Sequence, residues 1–256
     1  MKIVEIFSSI QGEGLLIGTP SVFVRVGRCQ LRCVECDTDF DRFDELPVDE
    51  VATRVLGMPE SHHVVITGGE PLLWQHEVAE LIRRLQSIQG AHVTVETNGA
   101  IPFGNHGLEM LPSLFSYSPK VGSLGRDQRF SWRRVIENIA ITETSWQIKY
   151  VLDPLRMDDA ERIRDFQGQL EKRTELFNDQ SVIFQPLDRG TVVGQIVRVR
   201  DFIFADYAED LSRLQELVSR LFPGRGFRVL PQLHKLMIAS GGLTAERASA
   251  VSRMVS

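Results

Sequence analysis

Cys29, Cys33 and Cys36 are the only cysteines in the chain, and they fall within one eight-residue stretch of the segment GRCQLRCVECDT, residues 27–38. Spaced Cys-x3-Cys-x2-Cys on one loop, three thiolates reach one side of a small object, and the lack of a fourth leaves a coordination position open. An iron–sulfur cluster held by three cysteines has that property, since one iron stays free for an outside ligand. A structural zinc site normally takes four protein ligands, so it would have to recruit one of the six histidines or an aspartate. The third alternative is three unrelated buried thiols, which does not account for their bunching in a polar, glycine-flanked loop. The spacing favours a cluster over zinc, and zinc over inert thiols.

A loop of this kind needs a scaffold, and the chain reads as strand then helix, repeated. Ser21–Val26 alternates as a strand, and His63–Ile66, Val93–Val95, Leu114–Tyr117, Trp146–Val151 and Ser181–Phe184 read as further strands. Pro71 opens a helix whose apolar stripe is Leu72, Ala79, Ile82, Leu85 and Ile88, and helices are expected at about Asp158–Lys172 and Asp206–Leu221. Strands separated by helices imply parallel βα units, here the α/β class and a barrel or part of one. Three strands run into polar loops: Thr67-Gly68-Gly69-Glu70-Pro71, Glu96-Thr97-Asn98-Gly99 and Ser118-Pro119-Lys120. In such a barrel these loops converge on one mouth.

Composition sets the outer bounds. The 256 residues are 43% hydrophobic and 25% charged, enough for a sizeable core. A net charge of −5 argues against a general nucleic-acid or membrane binder, because such proteins carry a basic excess to meet phosphates. The expected partner is a small molecule. No apolar run reaches membrane-spanning length, the first residues include Glu5, and an odd number of cysteines suits a reducing compartment, so a cytoplasmic protein is expected. No repeat or linker divides the chain, which is therefore expected to form one domain over 1–256.

The cysteine spacing followed by Gly68-Gly69-Glu70-Pro71 resembles the radical S-adenosylmethionine (SAM) superfamily. The series EIFSSIQGEG, CDT, ETNG, YSPK, WQIKYVLD and LPQLHK, in this order along nearly the whole chain, is similar to the 7-carboxy-7-deazaguanine synthases. Read alone, Gln11-Gly12-Glu13-Gly14 is a surface turn and Gly-Gly-Glu-Pro a plain one. The motif series gives them a function. The resemblance implies a partial TIM-like βα barrel of the radical SAM type, a 4Fe-4S cluster, SAM and Mg2+. It implies ring contraction of 6-carboxy-5,6,7,8-tetrahydropterin to 7-carboxy-7-deazaguanine with loss of ammonia, started by a 5′-deoxyadenosyl radical taking hydrogen from C6, on the route to deazapurines such as queuosine. It also suggests a homodimer and an electron donor such as a flavodoxin.

Carried over by position, Cys29, Cys33 and Cys36 hold the cluster and Thr38 ligates Mg2+, which suits a neutral oxygen beside a substrate carboxylate. Ile10, Gln11, Gly12 and Thr97 contact the pterin, and Arg25 pairs with its carboxylate as a planar bidentate donor. Glu35, Cys36, Asp37, Gly69, Glu70, Gly99, Ser118, Pro119 and Lys120 border SAM, and Gln185 at a strand end could reach it. Two departures stand out. Glu35 occupies a position usually aromatic in the superfamily, and the chain continues from about 236 to Ser256 where relatives usually end, with Leu243–Arg247 read as a helix start. His234 and Lys235 belong to the last motif. Two other functions compete: a radical SAM activase that makes a glycyl radical on a partner protein, which would lack the Gln-Gly-Glu-Gly start and CDT, and a non-catalytic zinc-binding module, distinguished by metal and acid-labile sulfide analysis.

Overall fold

The computed structural model describes residues 1–33, 36, 38–60, 62–120, 131–172, 178–187, 192–193, 196–197, 204–233 and 236. Glu35, Asp37, His234, Lys235 and the tail from 237 onward, with its expected helix start, lie outside them.

The strands are β1 (Lys2–Ile10), β2 (Pro20–Val26), β3 (Asp44–Glu45), β4 (His63–Gly68), β5 (His92–Thr97), β6 (Leu114–Tyr117), β7 (Ser145–Leu152), β8 (Val182–Pro186), β9 (Val192–Val193), β10 (Ile196–Val197) and β11 (Arg228–Val229). The helices are α1 (Val48–Leu56), α2 (Gln75–Gln89), α3 (Trp132–Ile141), α4 (Met157–Glu171) and α5 (Phe204–Leu221). Nine strands form one sheet in the order β11-β8-β7-β6-β5-β4-β2-β1-β3, and β9 pairs with β10 apart from it. From β2 to β11 every pairing is parallel, while β1 and β3 are added antiparallel at one edge. Among the described strands the sheet stays open between β3 and β11, so it is a part-barrel.

The two faces of the sheet differ as a period of two requires. Val22, Val24, Val64, Ile66, Val93, Val95, Phe115, Tyr117, Ile148, Tyr150 and Phe184 form the core with the apolar stripes of the helices. Their alternate neighbours, Arg25, Thr67, Glu96, Ser116, Gln147, Lys149 and Gln185, are polar and face the concave side. No described helix is long and apolar enough to cross a membrane.

The helix expected from Pro71 starts later. Pro71–Trp74 is a 3-10 turn capped by the Glu70 side chain, which accepts from Leu72 N, and the α-helix proper opens at Gln75. Its buried stripe ends at Leu85. Ile88 is 65% exposed, because Ser87, Ile88 and Gln89 all stand clear of the core before the left-handed Gly90 stops the helix.

At the lower end of the concave face His63 is buried between Ser21 Oγ, 2.7 Å from Nδ1, and Thr94 Oγ1, 3.0 Å from Nε2. Burial, with the charge of His92 adding to it, pushes the His63 pKa from 6.5 down to about 4. The unfolded chain therefore takes up a proton that the folded one refuses between those two values, and stability is lost as pH falls through that window. Thermal midpoints measured from pH 7 to pH 4 should drop more steeply in the wild type than in His63→Gln, and parallel curves would refute this.

Candidate active site

The upper half of the concave face is a polar row set by strand register. Arg25 on β2 lies opposite Thr67 on β4, and Ile66 opposite Val95 carries the row on to Glu96. Glu96 lies opposite Ser116, and Ser116 opposite Gln147. Lys149 follows Gln147 on the same face, and Gln185 lies opposite Val151. The carboxyl ends of these parallel strands frame the mouth, where α/β folds place their sites.

The cysteine loop leaves β2 at this mouth and is stacked on the turn after β4. Gly69 N donates to Val26 O at 2.9 Å and Glu70 N to Arg28 O at 2.8 Å. A Cβ on Gly69 would stand 1.9 Å from Arg28 O, and Gly68 has φ +119°, so the two backbones approach where only glycine fits. Cys29 and Cys33 are half-buried and Cys36 is exposed. Burial pushes the Cys29 thiol up to about 12, with Glu70, Cys33 and Cys36 adding to the rise. Such a thiol stays protonated near neutrality unless a cation binds its sulfur. Three soft donors close enough that two of them raise the pKa of the third fit an iron–sulfur cluster, whose irons neutralise thiolate charge. Among the described residues no three His, Cys, Asp or Glu side chains converge on a single ion-sized point. A cluster asks something different, one thiolate for each of three irons.

Beside this loop Glu70 is 1% exposed and fully engaged: it accepts from Leu72 N at 2.9 Å, Thr97 Oγ1 at 2.6 Å and Asn98 N at 2.8 Å. Burial raises its pKa, opposed by those hydrogen bonds and by Lys120. The Thr97 hydroxyl also receives Gly99 N at 2.9 Å. Gly99 has φ +72° and lies against Tyr117. Asn98 Oδ1 accepts from Gln30 Nε2 at 2.9 Å, tying the ETNG turn to the cysteine loop. The next strand's loop joins them, Ser118 N donating to Thr97 O at 2.7 Å and Lys120 Nζ to Ser118 Oγ at 3.3 Å, with Pro119 buried between.

On the other side the β1–β2 loop crosses the row. Ile10 ends β1, half-buried opposite Pro20, and Gln11 N to Thr19 O and Gly18 N to Gln11 O, both 2.8 Å, close the loop's base. Gln11 Nε2 donates to Glu96 at 3.2 Å, Leu15 N to Gln147 Oε1 at 2.7 Å, and Leu233 N to Gly12 O at 2.8 Å. Glu13 is paired with Lys149 and accepts from Gln232 Nε2. Arg25, 7% exposed, donates Nε to Glu5 at 2.8 Å and Nη1 to Thr38 Oγ1 at 3.0 Å, with its guanidinium over the Phe7 ring. Gln185 is buried and its amide donates to Pro231 O at 2.9 Å.

The structure thus gathers the cysteines, Thr38 and Arg25 with Gly69, Glu70, Gly99 and Ser118–Lys120 around one mouth, and brings Gln11 and Gly12 over it. The sequence assigned no individual role to Glu13, Thr67, Glu96, Gln147, Lys149 and Gln232, although they lie within its mouth loops and motifs. A signal was present for two of them: Gln147 and Lys149 sit two apart inside an apolar strand, the spacing of one buried polar face.

Comparison with known proteins places these observations. The Radical SAM superfamily profile matches residues 23–143. The 7-carboxy-7-deazaguanine synthase of Pyrobaculum aerophilum is 32% identical over 242 residues, 91% of this chain and 93% of that protein. Its namesake from Halobacterium salinarum is 32% identical over 255 residues, 91% of this chain and 89% of the other. The crystal structure of QueE from Escherichia coli superposes with a TM-score of 0.61 at 19% identity, covering 91% of this chain and 94% of that one, a likeness of fold.

Proposed function

Because the chain belongs to the 7-carboxy-7-deazaguanine synthases of the radical SAM superfamily, we propose that it converts 6-carboxy-5,6,7,8-tetrahydropterin to 7-carboxy-7-deazaguanine and ammonia, a lyase reaction of deazapurine biosynthesis. Product and ammonia together hold every atom of the substrate, so no net oxidant is consumed. The observation that carries the reading is the meeting of two motif sets at one mouth: the cysteine loop stacked on Gly69, and the Gln11–Gly14 turn fastened across the polar row. A glycyl-radical activase and a zinc module leave that crossing turn without a purpose.

When bound, the cluster and SAM supply one-electron chemistry at C6 of the pterin, with SAM regenerated. Cys29, Cys33 and Cys36 hold the cluster. Gly69 exposes backbone to the methionine end of SAM, and Glu70 acts by fixing that turn and the ETNG turn together. Cys36 with the neighbouring Glu35 and Asp37, Gly99, Ser118, Pro119 and Lys120 complete the SAM border.

Thr38 and Arg25 touch each other, which suits Mg2+ on the hydroxyl and a substrate carboxylate shared between metal and guanidinium. Ile10, Gln11 and Gly12 cover the pterin. Thr97 borders the pterin from the end of β5, and Thr67, on the concave face beside Arg25, adds a second hydroxyl to that wall. We further take 1–256 as one domain with an added C-terminal segment, acting in the cytoplasm as a homodimer reduced by a flavodoxin-type donor. The test is anaerobic incubation of the reconstituted protein with SAM, dithionite, Mg2+ and the carboxylated tetrahydropterin. The deazaguanine acid should accumulate over many turnovers per SAM. Its absence from a cluster-loaded protein would refute the assignment.

A further inference from the structure

Lys149 is a buried cation that none of these roles uses. Its side chain on β7 is 5% exposed, its ammonium is paired with Glu13 and stands 3.9 Å from Glu96. Lysine is almost never buried without a partner anion, and these two anions belong to the parts that handle Gln11. Glu96 accepts from Gln11 Nε2 at 3.2 Å, and the N–H of Glu13 donates to Gln11 Oε1 at 3.1 Å. The Gln11 amide is thereby oriented at both ends, since a carboxylate can only accept and a backbone N–H can only donate. The two carboxylates would repel each other without a cation between them, and the turn carrying Glu13 is the movable partner, because Glu96 is fixed in a central strand.

We propose that Lys149 is a positioning residue for the pterin: by holding Glu13 and Glu96 on one wall it fixes the Gln11 amide in the geometry that meets the ligand. This rests on the pterin reading of the site. The neutral ties of the turn, Leu15 to Gln147 and Leu233 to Gly12, hold its backbone but do not settle the charge.

The test uses anaerobic, cluster-loaded protein carrying Lys149→Met, Lys149→Arg, Glu13→Gln or both Lys149→Met and Glu13→Gln. Affinity is read with oxidised 6-carboxypterin, whose aromatic ring has no hydrogen at C6 to lose, and KM with the tetrahydropterin. Lys149→Met and Glu13→Gln should each weaken pterin binding about tenfold, the double variant should be no worse than the worse single one, and Lys149→Arg should recover most of the affinity. SAM affinity and cluster absorbance should stay within about twofold. Unchanged pterin affinity in both single variants overturns the proposal. So does a parallel loss of SAM affinity, cluster and thermal midpoint, which would make the pair a support of the fold. Failure of the pterin reading is a separate result: wild-type protein that neither binds 6-carboxypterin nor forms the deazaguanine acid.

Discussion

Alanine at Cys29, Cys33 and Cys36 together should give a colourless, inactive protein that still folds. Each thiolate is expected to bind a different iron, so every single replacement already leaves a corner of the cluster without its protein ligand, and the triple variant retains none. The fold should survive because Cys36 is exposed and the other two are half-buried, sites where truncation costs about 1 kcal/mol. Iron and acid-labile sulfide per chain, the broad brown charge-transfer absorbance and turnover should vanish together, while circular dichroism keeps its shape. A wild type that remains colourless and carries one zinc per chain after anaerobic reconstitution would overturn the cluster and everything built on it.

Gly69→Ala should be among the most damaging single changes outside the cysteines. The added methyl would stand 1.9 Å from Arg28 O and 2.4 Å from the carbonyl carbon. Both atoms are backbone, so no rotamer change relieves the contact. Either the turn or the start of the cysteine loop must move, and the bonds from Gly69 N to Val26 O and from Glu70 N to Arg28 O go with it. Such a change belongs among the severe substitutions, about 3–5 kcal/mol. Gly168→Ala is the control: on α4 nothing lies within 4 Å of the new carbon, and a helical glycine replaced by alanine gains about 1 kcal/mol. Denaturant unfolding and iron retention on the two variants decide the matter. Equal stability would mean that the turn and the loop are not in the contact described.

The sequence yielded most of the scaffold. Leu114–Tyr117 is found with the expected bounds, and the helix expected at Asp158–Lys172 runs from Met157 to Glu171. Buried parallel strands write themselves as runs of β-branched and aromatic residues, which a linear reading detects. β1 went unseen because it lies next to the edge of the sheet, where eight of its nine residues are half-buried or exposed and the alternation is blurred. The amphipathic helices α1 and α3 were also missed. β11 has two residues and owes its existence to β8 beside it.

For the site, chain-local chemistry was determined by the sequence alone. Three thiols at fixed spacing, paired glycines and the Gln-Gly-Glu-Gly turn are short covalent arrangements whose meaning depends on neighbours a few residues away. Tertiary structure decided which polar side chains of the strands share the concave face. Thr67 and Thr97 both lie at strand ends beside a glycine-containing turn, yet one is bonded to Glu96 in the polar row and the other to Glu70 beside the cysteine loop. A shift of one residue exchanges the two faces of a strand, and only the packed sheet fixes the register. The Lys149–Glu13 pair spans 136 positions. No local pattern encodes it, because it exists only when a hairpin loop from the start of the chain is laid across a strand from its middle.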